Sequence, residues 1–237
     1  MLALSHRGNL HRRGQRGPRG PLPENTLAAF AAAHAAGADG IEIDVRLSAD
    51  GRPVLFHDRV APGGRPVAEL TAAELAAAAG YPVPVLDEAL ERWGDLLWNV
   101  EVKTPAALAA TGEVIARFAS RRRILVSSFW HDLVPPLAAL SGVEGGLVMA
   151  SRPAGQAALA ALFAALPEPA ARRIRTVVWS WEIFDQELLR QAGDLGLQSW
   201  VYGVETAAEH GRCRELAGAG LAAVITDWLD RLRTPRS

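Results

Sequence analysis

Several things are scarce or missing in this chain of 237 residues. Its one cysteine, Cys213, rules out an internal disulfide framework and suits a reducing compartment. Within a helical segment it is expected to have no special reactivity. A formal net charge of −1 leaves no global field to gather nucleic acid or an anionic membrane, so no nucleic-acid partner is expected. No apolar run approaches the roughly 20 residues needed to span a bilayer. The opening MLALSHRGN holds no stretch resembling the apolar part of a signal peptide. A cytoplasmic location without a membrane span is the expectation. Gly-rich phosphate loops are missing too: no strand candidate is followed by GxGxxG or a Walker pattern.

What is present is an apolar fraction of 49% and a charged fraction of 22%, enough for a sizeable core. Short runs rich in β-branched and aromatic residues recur as strand candidates at 2–6, 40–45, 97–103, 123–129, 144–150, 175–181, 197–203 and 222–227. Helical segments are expected at 25–36, 86–93, 106–120, 131–140, 154–166, 185–195 and 206–218. Residues 53–85 form a connection after the second strand, with the short extended piece PVLFHD and a helix of its own. Eight strands alternating with helices indicate an α/β fold with one domain over 1–237, a single (β/α)8 TIM barrel. A doubly wound open sheet is the alternative, disfavoured by the missing phosphate loop.

The second strand, GIEIDV, places two acids in a buried element. If Ile41, Ile43 and Val45 face the helices, Glu42 and Asp44 must point into the barrel, toward the C-terminal mouth where barrel chemistry is done. The third strand repeats this: Val100 and Val102 outward, Asn99, Glu101 and Lys103 inward. Three carboxylates converging in a confined space repel and are costly to bury unpaired. A hard divalent cation, Mg2+ or Ca2+, suits such an oxygen set. The competing reading is a buried ion-pair network with Lys103 and Arg7 or Arg46. His6 and His57 end extended segments bordering the acids, and a pair of imidazoles there is the apparatus of general acid and base. His34, His131 and His210 are read as packed or surface residues, and His11 as solvated in a basic loop.

Taken together, HRG (6–8), PENT (23–26) followed by AAF, GADGIEIDVRLSADGRPVLFHD (37–58), NVEVK (99–103), SSF (127–129) and AVITD (223–227) resemble the glycerophosphodiester phosphodiesterase family. The resemblance implies a (β/α)8 barrel that hydrolyses glycerophosphodiesters to glycerol 3-phosphate and an alcohol. It implies Glu42, Asp44 and Glu101 as metal ligands, His6 and His57 as the acid–base pair, and Arg7 and Lys103 as phosphate or substrate contacts. Glu24 and Asn25 resemble site-framing residues, with an N-terminal cap for the first helix as their plainer role. A route through a cyclic 1,2-phosphate follows from these parts, and a small-molecule phosphodiester is the expected partner.

Two stretches depart from the family. The loop over 9–22 is longer and carries Arg12, Arg13, Arg16 and Arg19, a group that can attract an anionic head group or polyanion. The seventh strand reads WVYG where the family shows Trp-Thr-Val-Asn. Trp200 is expected inward, as an apolar wall for the glycerol or leaving group. Trp130, Trp179 and Trp181 are expected to add aromatic surface around the mouth. The competing functions are a phospholipase acting on lyso- or inositol lipids, a catalytically silent barrel that binds phosphorylated ligands, and a metal-dependent aldolase-type barrel.

Overall fold

The structure is a computed structural model that describes residues 1–11 and 22–232. Most of the arginine-bearing 9–22 loop, including Arg12, Arg13, Arg16 and Arg19, lies outside the described residues. Strands β1 (Leu2–His6), β2 (Gly40–Leu47), β3 (Pro53–Leu55), β4 (Leu97–Val102), β5 (Arg123–Ser128), β6 (Glu144–Met149), β7 (Ile174–Ser180), β8 (Gln198–Tyr202) and β9 (Leu221–Thr226) form one sheet. Eight of them run parallel in the order β1-β9-β8-β7-β6-β5-β4-β2, and pairing of β1 with β2 closes the barrel. Outside it lie α1 (Leu27–Ala35), α2 (Ala72–Ala79), α3 (Leu86–Arg92), α4 (Leu108–Phe118), α5 (Val134–Ser141), α6 (Gln156–Ala164), α7 (Gln186–Asp194), α8 (Ala207–Ala217) and the short α9 (Leu229–Leu232).

Alternation along each strand separates two apolar layers. Ile41, Ile43, Val45, Val100 and Val102 are fully buried on the helix side. The lumen is filled by Leu4, Leu97, Leu125, Val148, Val178, Trp200, Ala223 and Ile225. This plug closes the N-terminal part of the barrel as packed core. Gly40 is required by that packing, because a Cβ there would stand 2.3 Å from the Leu97 carbonyl oxygen. Above the plug the inward residues turn polar. Sheet register then sets His6 beside Glu42, and Asp44 beside Glu101.

The 53–85 connection is a small packing unit. Its strand β3 lies antiparallel on the far end of β2, with Val45 opposite Leu55. Val54 bridges to Val85, and Val54, Phe56, Val67, Leu70 and Leu75 form an apolar cluster separate from the two barrel layers. Helix α2 is held at its start by a capping box between Thr71 and Glu74. This unit carries His57 to the barrel mouth.

Candidate active site

The HRG turn after β1 reverses the chain within two residues. Arg7 (φ 55°) and Gly8 (φ 77°) are both left-handed, and a Cβ on Gly8 would meet Phe30 and Ala29 at 2.8–2.9 Å. Asn25 is also left-handed (φ 56°), and its N–H donates to the Arg7 carbonyl at 2.8 Å. Two non-glycine residues in that region cost roughly 1–2 kcal/mol each, and such strain collects where side chains must be aimed. Both are aimed at Asp44. Asn25 Nδ2 donates to Asp44 Oδ2 at 2.8 Å, and Asn25 Oδ1 accepts from the Asp44 N–H at 3.2 Å. Arg7 Nε lies 2.8 Å from Asp44 Oδ2, and its Nη1 lies 3.1 Å from Glu24 Oε1. Helix α1 takes its cap from Thr26, whose hydroxyl accepts from Ala29 N–H, so Glu24 and Asn25 do not cap it as the sequence allowed.

Glu42, Asp44 and Glu101 are buried and bring carboxylate oxygens within 4.8 Å of one another. Lys103 Nζ lies 2.9 Å from Asp44 Oδ1 and 2.6 Å from Glu101 Oε1. The ion pairs foreseen for Arg7 and Lys103 are therefore present, and they fall unequally. Burial opposes ionisation of Asp44, but Lys103 and Arg7 outweigh it and hold its carboxyl down at about 2. Burial pushes Glu101 up, with Lys103 offsetting part of the shift. Glu42 is driven up to about 8 by burial and by the Asp44 charge. Neither of its carboxylate oxygens has a hydrogen-bond partner among the described residues. Arg46, the third basic residue considered, instead donates from Nε to the His57 carbonyl at 2.8 Å.

A buried carboxylate without a donor is costly and calls for an explanation. An oxygen-seeking divalent cation between Glu42, Asp44 and Glu101 provides one, and the donor set fits it. This cluster can hold a metal ion.

His6 and His57 flank the cluster. His6 Nδ1 lies 3.1 Å from Asp227 Oδ1, which turns Nε2 toward Glu42 at 3.8 Å. Burial lowers the His6 pKa, but the Asp227 hydrogen bond and the Glu42 charge overcome it, and the net shift is upward. His57 Nδ1 lies 2.8 Å from Asp58 Oδ1, leaving Nε2 for the site. His11, expected to be solvated, is buried: its ring packs on Trp228 at 4.7 Å and its Nε2 lies 3.8 Å from Asp227 Oδ2. His34 pairs with Asp95, His131 with the Val148 carbonyl, and His210 with Thr206 and Thr226. Cys213 is buried in α8, and burial pushes its thiol up to about 12.

Two cavities lie at the barrel mouth, one on the His57 side and one beside the acids. A groove of about 570 Å³ lies toward the 53–85 unit, lined by Glu24, Asn25, Phe56, His57, Val60 and Tyr81 among others. A cavity of about 30 Å³ lies over the lumen beside Glu42 and Glu101, walled by Ser127, Phe129, Tyr202 and Ile225. Trp200 does point inward, but it belongs to the apolar plug and does not line either cavity. Two residues along β8, Tyr202 occupies the height assigned to Trp200. Trp179 also departs from expectation: it is buried on the helix side, its indole N–H donating to Ser199 Oγ at 3.1 Å. Trp181 packs on Phe184, and Trp130 is exposed. The sequence reading missed the roles of Asp227 and Phe129, although both stand in quoted motifs, AVITD and SSF.

Comparison with known proteins agrees with this geometry. Residues 6–231 match the glycerophosphoryl diester phosphodiesterase family. The chain is 36% identical over 151 residues to a glycerophosphodiester phosphodiesterase of Caldanaerobacter subterraneus, covering 55% of this chain and 58% of that protein. It is 36% identical over 138 residues to one from Bacillus altitudinis, covering 49% and 56%. The matched part thus spans little more than half the length of these curated relatives. Among solved structures, the glycerophosphodiester phosphodiesterase of Thermotoga maritima superposes with a TM-score of 0.75 at 24% identity, covering 98% of each chain. An Oleispira antarctica phosphodiesterase, in complex with the product sn-glycerol-3-phosphate, gives 0.75 at 25% identity, covering 98% of this chain and 95% of that one. With the match running through nearly the whole barrel, from His6 to Arg231, the chain belongs to the glycerophosphoryl diester phosphodiesterase family.

Proposed function

We propose that this chain is a metal-dependent phosphodiesterase that hydrolyses glycerophosphodiesters to glycerol 3-phosphate and an alcohol. The observation that carries the reading is the buried Glu42 carboxylate, without a donor, facing His6 within a triad that can take a cation. The product held by the Oleispira relative supports the substrate class. Glu42, Asp44 and Glu101 would hold Mg2+ or Ca2+. When bound, the ion supplies Lewis acidity toward a phosphoryl oxygen and the glycerol 2-hydroxyl.

The remaining steps belong to side chains. Asp227 accepts the His6 Nδ1–H and so leaves Nε2 as the proton-handling atom on the lumen side. His57, oriented in the same way by Asp58, presents its own Nε2 from the groove side. One imidazole removes the 2-hydroxyl proton while the other protonates the departing alcohol oxygen. The resulting cyclic 1,2-phosphate is opened by water with the two roles exchanged. Arg7 and Lys103, fixed by Asp44, Glu24 and Glu101, offset charge gathering on the phosphoryl oxygens.

The test is release of glycerol 3-phosphate from glycerophosphocholine and glycerophosphoethanolamine, in chelator and then with Mg2+ or Ca2+ restored. Metal-dependent release that disappears in Glu101→Ala, and in both His6→Ala and His57→Ala, is the expected result. Turnover that persists in chelator, or near-normal turnover in either histidine variant, refutes the corresponding role. A phosphorylated ligand that binds without being turned over favours a silent barrel.

A further inference from the structure

Tyr202 ends β8 on the lumen face, directly above the apolar plug. It lines the cavity of about 30 Å³ beside the acids and also a second one of about 290 Å³. The larger space is walled by Val204, Trp228 and, shared with the smaller, His6 and Ile225. Tyr202 is thus a wall common to both. It is held there by Phe129, which meets it edge to face at 5.9 Å and 89°. Phe129 is in turn steadied by the Lys103 ammonium, 5.7 Å from its ring centre.

We propose that Tyr202, backed by Phe129, is a specificity-determining residue that confines the enzyme to diesters of unacylated glycerol. The inference rests on the phosphodiesterase reading above. With phosphorus at the acid triad, the substrate's two arms must leave in different directions. The broad groove beside His57 takes the alcohol, which can be bulky, and the narrow cavity beside His6 takes the glyceryl arm. The space beside His6, about 30 Å³, is a small fraction of the roughly 570 Å³ of the groove beside His57. That is room for a terminal hydroxymethyl group and none for an ester-linked chain. An acyl group on the glycerol 1-oxygen would have to occupy the space of the Tyr202 ring. Without the ring, the small cavity would open into the larger one, where Val204, Ile225 and Trp228 offer apolar surface for a short acyl chain beside the polar Glu205, Thr226 and Asp227. The chemistry would be unchanged: the 2-hydroxyl displaces the alcohol from phosphorus and water then opens the cyclic phosphate, giving 1-acylglycerol 3-phosphate and free alcohol.

The experiment measures choline release from glycerophosphocholine and from its 1-acetyl, 1-butyryl and 1-hexanoyl derivatives, below micelle formation, with cation present. For the wild type, kcat/KM should fall at least roughly tenfold on acylation, the scale on which a shaped pocket discriminates. Tyr202→Phe keeps the ring and should keep that ratio. Tyr202→Ala should raise the hexanoyl-to-unacylated ratio by roughly tenfold or more. A wild type that hydrolyses the hexanoyl ester as efficiently as the parent overturns the proposal, as does a Tyr202→Ala protein with the wild-type ratio. If the alanine variant does not fold by circular dichroism, the wild-type acyl series and Tyr202→Leu decide the matter by the same ratios. No turnover of even the unacylated diester defeats the phosphodiesterase reading and this inference with it, an outcome distinct from loss of selectivity.

Discussion

With Glu42 as one of its ligands, the proposed cation should release a proton on binding. In the cation-free protein its carboxyl is pushed up to about 8, whereas in an unfolded chain it titrates near the ordinary glutamate value of about 4.3. Between those limits the folded state holds a proton that the unfolded state has lost. Stability of the cation-free protein therefore declines as pH rises, by at most about 1.4 kcal/mol per pH unit from this group. His6, also shifted upward, acts with the same sign: its contribution is present below about pH 6.5 and is lost as pH rises through its folded value. For a chain of this size the Glu42 slope corresponds to roughly 3–5 °C in Tm per pH unit. A bound cation must displace the proton, so at about pH 6 close to one proton should be released per ion, falling toward none above about pH 8. Titration calorimetry in two buffers of different ionisation enthalpy reads that number directly. Glu42→Gln should abolish the release, weaken binding and flatten the fall in Tm with pH. Cation affinity in the wild type that is independent of pH, with no proton released, would refute the assignment of Glu42 as the strained ligand.

Two further outcomes follow from single contacts. Asp227→Asn should leave cation affinity intact while lowering kcat by roughly two to four orders of magnitude, as loss of the tautomer-fixing partner does elsewhere; the check is kcat beside a cation titration, and loss of both together would place Asp227 in the fold instead. Gly40→Ala should destabilise the barrel by roughly 1–3 kcal/mol or prevent folding, since its Cβ would meet the Leu97 carbonyl oxygen at 2.3 Å, and a denaturant midpoint equal to the wild type would contradict the packing described.

Much of this site is legible in the sequence because β-strands alternate. Once Ile41, Ile43 and Val45 are assigned to the helix layer, Glu42 and Asp44 have nowhere to go but inward, and Val100 and Val102 do the same for Glu101. Parity gives a side, however, and not a height. Trp200 and Tyr202 share the inner face of β8, and only the stagger of neighbouring strands decides which is buried in the plug and which reaches the mouth. Trp179 stands near the end of its strand, where the mouth is expected, but it lies on the helix side, and Ser199 on the neighbouring strand accepts its indole N–H within the core. His11 sits beside arginines in sequence, yet Trp228 and Asp227 from the far end of the chain enclose it. No local pattern announces a contact of that range. The strained pair Arg7 and Asn25 was visible only as part of HRG and PENT, and what those motifs do, clamping Asp44, is a matter of backbone conformation.

The two imidazoles proposed as acid and base stand on separately packed bodies. His6 ends a barrel strand, while His57 rides on the 53–85 unit with its own apolar cluster. Proteins open locally along such divisions, and a small cluster gives way before a closed barrel. Warming should therefore disable the enzyme in two stages. The proposed acid–base pair should separate first, while the carboxylate triad, built entirely on β2 and β4, keeps its geometry. On that reading, the temperature at which activity is lost should be set by the fastening of the small unit onto β2, with melting of the barrel a later and different event.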